Sequence, residues 1–282
     1  MKKTAILIVL YNKEIHESTT IETLLKLGLS GVKIVIHNNG PREISMTHEQ
    51  VQRFQMNCID LEFINCTDNQ PLSVVYNNFI KKNPQYEVFS IFDDDSNISS
   101  DYALVLNDCS FEIELPKIES RIDNRVYYPV VDNHVFSAIG TIVGKRVFSI
   151  GSGLTFTRSV VDKFISHKLD LFDEHYALYG VDFSFFRRIQ ILQKKGEEFL
   201  MSSNFSLLHS LSKAESIQSN FRHKERLVDF ALTVRHYPTP HLYFSLLKRV
   251  VLDAFKLNFK DVNLIIKTFF NGAHPGCLNM FK

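Results

Sequence analysis

Over its first 95 residues the chain alternates short, continuously apolar runs with segments of helical periodicity, and this constrains the fold more than any other feature of the sequence. The opening run, Thr4-Ala5-Ile6-Leu7-Ile8-Val9-Leu10-Tyr11, has the unbroken apolar character of a parallel strand covered on both faces. Ile21, Leu24, Leu25 and Leu27 then recur at mixed three- and four-residue spacing and stop at Gly28, as a helix would. Val32-Lys33-Ile34-Val35-Ile36-His37 is a second strand and ends in the turn signal Asn38-Asn39-Gly40-Pro41. Residues 61–65 read as a third strand, 71–82 as a helix and 88–92 as a fourth strand. Such alternation predicts a doubly wound α/β domain. Ligands of these sheets bind beyond the carboxyl ends of the strands. Tyr11-Asn12, Asn38-Asn39 and Asp93-Asp94-Asp95 all fall at such ends.

The three aspartates close the apolar run Val88-Phe89-Ser90-Ile91-Phe92 and concentrate negative charge where the chain leaves the sheet. A divalent cation or a solvated turn has to absorb the repulsion. Mg²⁺ and Mn²⁺ take hard oxygen ligands and are often held by one or two carboxylates together with substrate phosphates. The plainer alternative is an acidic turn capping a helix at Ser96 or Ser99.

A chain of 282 residues can form one large domain, or one domain with an appendage. Its charge balance, +1, gives no case for nucleic acid as a partner. Cys58, Cys66, Cys109 and Cys277 show no CxxC or Cys/His pairing, which argues against zinc. With the first strand starting almost at the N-terminus and no apolar stretch near the roughly 20 residues that span a bilayer, reduced thiols in a cytoplasmic protein are the expectation. The chain has 24 Phe and no Trp, which the sequence explains only as core filling.

After about residue 100 the alternation loosens. Residues 127–131 and 137–143 look like strands of a less regular region. Gly151-Ser152-Gly153 is a loop ahead of Leu154-Thr155-Phe156-Thr157, a helix is expected from Ser159, and another from Gly180 or Val181 to about Lys195. From His236 the character changes again. Leu247, Val250, Val251, Ala254 and Phe255 form one apolar helical stripe, with Lys248, Arg249 and Lys256 elsewhere on the wheel. Val262, Leu264, Ile265, Ile266, Phe269 and Phe270 follow among Lys260, Lys267 and Lys282. Such basic amphipathic helices either lie in a membrane interface or pack on their own domain or another subunit.

In their order these elements resemble a family 2 glycosyltransferase of the GT-A fold, over roughly residues 4–212. The strand ending Leu10-Tyr11-Asn12, the strand ending Asn38-Asn39-Gly40-Pro41, and Asn69 with Asn77 eight positions later match the donor half of such enzymes. Phe92-Asp93-Asp94-Asp95 is similar to the DxD element, and Ser152-Gly153-Leu154-Thr155-Phe156-Thr157-Arg158 to the acceptor-side strand. Leu171-Phe172-Asp173-Glu174, then Tyr179-Gly180-Val181-Asp182 and Arg187, resemble the acidic motif before the catalytic helix, and Leu208-His209-Ser210 the late metal-site histidine. Two positions depart from the pattern. Asn38 stands where an Asp is usual, which leaves the nucleobase open, and Val181 and Ser184 replace acids, which leaves Asp182 the only acid between Gly180 and Arg187.

The resemblance implies an α/β GT-A domain over residues 1–235, a Rossmann-like nucleotide-binding mixed sheet flanked by helices, and an amphipathic helical extension over 236–282. It implies donor contacts from Leu10, Tyr11, Asn12, Asn38, Asn39, Asn69, Asn77, Asp93, Asp94 and Arg187, with Ser152, Gly153 and Glu174 on the acceptor side. Asp93, Asp95 and His209 would hold Mn²⁺ or Mg²⁺, and Asp182 would be the general base, its pKa lowered by the helix dipole. Plainer readings stand beside these: Asp182 as an N-cap, His209 as a core histidine, Asn38 and Asn39 as turn formers, and Arg187 as a solvated helix residue. The implied activity is inverting transfer of a sugar from a UDP- or dTDP-sugar to a glycan or polyprenyl-linked acceptor, as in O-antigen or capsule synthesis at the inner face of the cell membrane, by a monomer or homo-oligomer. A catalytically silent nucleotide-sugar or glycan-binding module is the alternative. A nucleotidyltransferase is a third, opposed by the lack of a Gly-rich phosphate loop after the first strand.

Overall fold

The computed structural model describes residues 2–108, 110–210 and 219–280, so that Cys109 and Lys282 lie outside the described part. The first half alternates as expected: β1 (Thr4–Leu10), α1 (Thr19–Lys26), β2 (Lys33–Asn38), α2 (His48–Met56), β3 (Asp60–Asn65), α3 (Leu72–Lys82) and β4 (Val88–Asp93). The helix α2 was not evident from periodicity. It is a polar surface helix with one buried residue, Phe54, and its start is fixed by a capping box between Thr47 and Gln50.

Short elements follow: β5 (Asn97–Ile98), α4 (Asp101–Asp108), β6 (Ile113–Glu114), β7 (Lys117–Ser120), β8 (Val126–Tyr128), β9 (Val130–Val131), β10 (His134–Val135), β11 (Gly140–Thr141) and β12 (Val147–Phe148). The expected strand over 127–131 is split at Pro129, which has no N–H to give a ladder. Of 137–143 only Gly140 and Thr141 pair. Then come β13 (Thr155–Thr157), α5 (Arg158–Ser166), α6 (Val181–Lys194), β14 (Met201–Ser203) and β15 (Ser206–His209). Three helices close the chain: α7 (Asn220–His236), α8 (Pro240–Phe255) and α9 (Phe259–Asn271).

The described strands form an eight-stranded sheet in the order β11-β14-β6-β13-β4-β1-β2-β3. β4, β1, β2 and β3 run parallel, while β13 is antiparallel to both β4 and β6. Because the chain steps from β1 through β2 to β3 and then returns to the other side of β1, the topological switch point lies between β1 and β4. Register places Val9 beside Asp93 and Leu10 beside Asn38, so the three expected strand ends open onto one crevice. A second sheet, β5-β15-β7-β8, brings His209 from late in the chain to this edge.

The pleat of β1 divides the core. Ala5, Leu7 and Val9 face one apolar layer, and Ile6, Ile8 and Leu10 face the other. The first layer accounts for much of the phenylalanine. Phe185 of α6 lies 5.5–5.8 Å from the rings of Phe156, Phe164 and Phe172 and 5.2 Å from Phe186, and Phe156 stacks on Phe89. These ring contacts hold α6, and with it Asp182, against the sheet.

The boundary expected near residue 235 falls in the last turn of α7. Val228 and Leu232 of this helix belong to the main core, while Leu227 and Ala231 form a smaller cluster with Ile265 of α9. The last helices are therefore seated on the α/β domain through α7. No helix among the described residues is long and apolar enough to cross a membrane.

Candidate active site and metal centre

The acidic turn after β4 is held from below by the start of α1. Ser18 caps this helix by accepting from Ile21 N, and its own hydroxyl donates to the Asp94 carbonyl at 2.9 Å. Thr20 donates to the Asp93 carbonyl at 2.5 Å and accepts from Ser96 N at 2.9 Å. Lys13 pairs with Asp94 at 2.5 Å, and Tyr11 N also donates to that carboxylate, which ties the turn to the end of β1. Arg121 donates to the Asp95 carbonyl at 2.7 Å. The turn is thus positioned by its backbone, and the side chains of Asp93 and Asp95 are left facing the crevice.

His209 meets them there. Its Nδ1 lies 3.0 Å from Asp95 Oδ1 and 3.1 Å from Ser96 Oγ, and its Nε2 is 3.6 Å from Asp93 Oδ2. One ligand atom from each of Asp93, Asp95 and His209 lies within 4.8 Å of the others. Solvent reaches 42% of the Asp93 side chain, yet desolvation and the neighbouring carboxylates push its pKa up to about 6, against the opposing pull of His209. Burial opposes the charged form of His209, but Asp95 and Asp93 outweigh it and raise its pKa. In Asp95 the His209 contact overcomes desolvation and lowers the carboxyl. A donor set of two carboxylates and one imidazole, under repulsion that a cation would relieve, fits a hard divalent ion.

Asp182 begins α6 on the opposite wall. Burial, followed by the Asp93 charge, pushes its carboxyl up to about 7 although Gly151 N donates to it. The lowering expected from the helix dipole is outweighed, because removal of water from a carboxylate beside a second carboxylate costs more than one helix end returns. A Cβ on Gly151 would lie 2.5 Å from Asp182 Oδ1, so that glycine makes room for the carboxylate.

Other expected residues sit elsewhere. Asn38 is 1% exposed and gives both amide hydrogens to the Arg42 carbonyl and Asn65 Oδ1, while its oxygen accepts from Gly40 N. Asn39 exchanges two hydrogen bonds with the Gln70 backbone, and Asn77 clamps Phe172 and Glu174. These three buried amides hold loops together, and their N–H hydrogens are given to groups of the protein. Leu10 is fully buried in the core. Ser152 and Gly153 are buried beneath the acidic turn. Ser152 Oγ accepts from Asp93 N and bonds Ser96 Oγ at 2.6 Å, so it supports the acidic turn from within the fold.

Tyr11 is half-exposed at the crevice rim, and Asn12 and Asn69 are exposed, both in the left-handed region. Glu174 is spent partly on Asn77. Asp173 is a structural hub: it accepts from His175, from Tyr237 Oη at 2.7 Å and from Arg188 at 3.1 Å. Arg187 is not a solvated helix residue. Its guanidinium lies 5.6–6.0 Å from the ring centres of Tyr237, Phe183 and Phe148, and its Nη1 is buried with no protein partner.

Ser18, Thr20, Lys13 and Arg121 escaped sequence reading. Only the first two left a signal, a Ser-Thr-Thr run just ahead of the first helical pattern. Asp229, half-buried in α7 against Gly180 and raised in pKa by desolvation there, left none.

No protein-family model matches the sequence, and no curated protein is similar to it at the sequence level. Solved structures are similar in fold. Residues 1–349 of S. aureus TarS in complex with UDP-GlcNAc superpose with a TM-score of 0.56 at 11% identity, covering 96% of this chain and 82% of that one. The UDP complex of the same piece gives 0.53 at 11% identity over 95% and 81%. A longer TarS structure gives 0.51 at 11% identity, and there the chain spans 83% of itself but only 44% of TarS. The chain has the GT-A glycosyltransferase fold.

Proposed function

We propose that this protein is a metal-dependent, inverting glycosyltransferase that moves a sugar from a UDP- or dTDP-sugar to a glycan or polyprenyl-linked glycan acceptor, in the assembly of a cell-surface polysaccharide such as O-antigen or capsule. The observation that carries the reading is the meeting, at the sheet's switch point, of the Asp93–Asp95–His209 cluster with the Asp182 carboxylate. That UDP and UDP-GlcNAc are bound by TarS, which has the same fold, supports the choice of donor class.

Asp93, Asp95 and His209 would hold Mn²⁺ or Mg²⁺, which neutralises charge on a diphosphate leaving group. Asp182 is the base. With a pKa raised to about 7 it is a stronger proton acceptor than an ordinary carboxylate, and it is largely ionised just above neutrality. It takes the proton of the acceptor hydroxyl as that oxygen bonds the anomeric carbon and the bond to the diphosphate oxygen breaks. A single displacement inverts the anomeric centre. Gly151 and the ring contacts of Phe185 hold the carboxylate in place, and Tyr11 at the rim offers a face for the nucleobase.

Asp182→Asn tests this. With a UDP-sugar panel, Mn²⁺ and a glycan acceptor, the variant should bind donor as the parent does and lose transfer by roughly 10²–10⁴-fold, the usual range for loss of a general base. Transfer at the parental rate would place the base elsewhere. Donor binding without transfer in the parent itself would favour a silent binding module.

A further inference from the structure

We propose that the α8–α9 hairpin is a docking surface for an anionic lipid bilayer, entered tip first. The inner face of α8 is occupied: Leu246 and Val250 pack with Leu264 and Phe269 on the cluster of Leu227, Ala231 and Ile265. Its outer face is not. Phe244, Leu247, Val251 and Phe255 recur at three- and four-residue spacing and are 68%, 62%, 42% and 83% exposed. At the turn into α9 the pattern concentrates, since Phe255, Leu257 and Phe259 are three large apolar side chains within five residues, all more than half exposed. Leu257 adopts φ +58°, a conformation usual for glycine or asparagine after a helix and costly for leucine. Folding alone would favour the smaller residue, so an apolar side chain at the apex serves something outside the fold.

Charge selects the occupant. The hairpin carries Lys248, Arg249, Lys256, Lys260 and Lys267 against Asp253 and Asp261. Both carboxylates are already engaged, Asp253 with Arg249 at 2.5 Å and Asp261 with His223 at 2.7 Å. Among the described residues the four lysines form no ion pair. Lys256 lies within the apolar tip and Lys260 follows it. Beside the stripe, a groove of about 520 Å³ between α7 and α8 has Arg226, Lys248 and Arg249 around an apolar floor of Leu227, Phe230 and Leu252. A second copy of this surface would set lysines against lysines across a two-fold axis. An anionic bilayer interface accepts both components, the rings into the headgroup boundary and the lysines onto lipid phosphates.

The inference does not depend on the nucleotide-sugar reading, and its test needs no donor. The full chain is co-sedimented with vesicles of phosphatidylcholine alone and of phosphatidylcholine mixed with phosphatidylglycerol. Binding to the mixed vesicles, weakened by high salt and much weaker on the neutral ones, is expected. Phe255→Ser with Phe259→Ser, and separately Lys256→Glu with Lys260→Glu, should each reduce the bound fraction constant at least about tenfold. These positions are exposed, so thermal melts should match the parent. Absence of binding to anionic vesicles, or binding unchanged in both variants, overturns the proposal. A concentration-dependent dimer seen by light scattering and dispersed by the Phe pair, without vesicle binding, also overturns it and assigns the face to a second copy.

Discussion

Asp93 and Asp182 face one crevice, and the Asp93 charge adds to the burial that raises the Asp182 carboxyl. A cation bound by Asp93, Asp95 and His209 must displace the proton of Asp93, whose pKa is about 6, and that of His209, which is raised. Above these values the ligands are free for metal. As pH falls, protons compete first at His209, whose pKa is raised above the ordinary histidine value, and then at Asp93 near about 6, and metal affinity should drop by up to about tenfold per unit for each proton displaced. Calorimetry with UDP and Mn²⁺ between pH 7.5 and 5 measures this, and a flat profile would remove the cluster from the metal site. Asp95→Ala should abolish the Mn²⁺-dependent part of UDP binding while leaving the melting temperature near the parental value, because its side chain faces the crevice and packs no core.

Between elements, the loop of Gly151-Ser152-Gly153 and the first turn of α6 form the contact on which the base depends. Gly153 needs its φ of +81° and its missing Cβ to pass Pro116 and Leu207, whereas the demand on Gly151 comes from the Asp182 side chain alone. Gly151→Ala should therefore push the carboxylate aside and leave the fold nearly untouched. The expected result is a fall in transfer of at least about tenfold, with UDP affinity and urea midpoint close to the parent. Full activity in this variant would mean that Asp182 has room to spare and that the contact does not set the base. Only pairing made this loop legible: its sequence announces flexibility, yet Ser152 and Gly153 are among the most buried residues of the site.

Across the whole molecule, Asp173 joins the segment before α6 to the helix itself through Arg188 and to the end of α7 through Tyr237. Although burial opposes its charge, His175, Arg188 and Tyr237 hold its carboxyl well below the usual range. A carboxyl depressed in the folded state stabilises it above the unfolded pKa, near 4, and this contribution is lost as pH falls toward the folded value. Asp173→Asn should cost about 3–5 kcal/mol at neutral pH, since Arg188 is left buried without its partner. It should also flatten the acid limb of stability between pH 5 and 3. Urea unfolding across that range checks both, and equal acid sensitivity in parent and variant would place the titrating group elsewhere.

Much of the architecture was written locally. Apolar runs with period-free burial, helical spacing and a Gly stop determined β1 through β4 and the helices α1 and α3, because a buried parallel strand needs continuous apolar residues and each signal spans only a few positions. The placement of Asp93, Asp95 and Asp182 at element ends was legible for the same reason. The polar helix α2 and the long α7, with its apolar residues shared between two cores, gave no clear stripe and were missed. Tertiary structure alone decided what the polar residues do. Asn38, Asn39 and Asn77 read as ligand contacts, and the fold shows them clamping loops, since an amide's protein partners are chosen by which backbone groups the fold leaves beside it. The contact of the α1 cap with the acidic turn and the hydrogen-bonded Ser96–Ser152 pair join residues 76 and 56 positions apart, and Asp182 is raised by burial beside Asp93, far from it in the chain; desolvation and charge depend on distances in space, which a linear pattern does not carry.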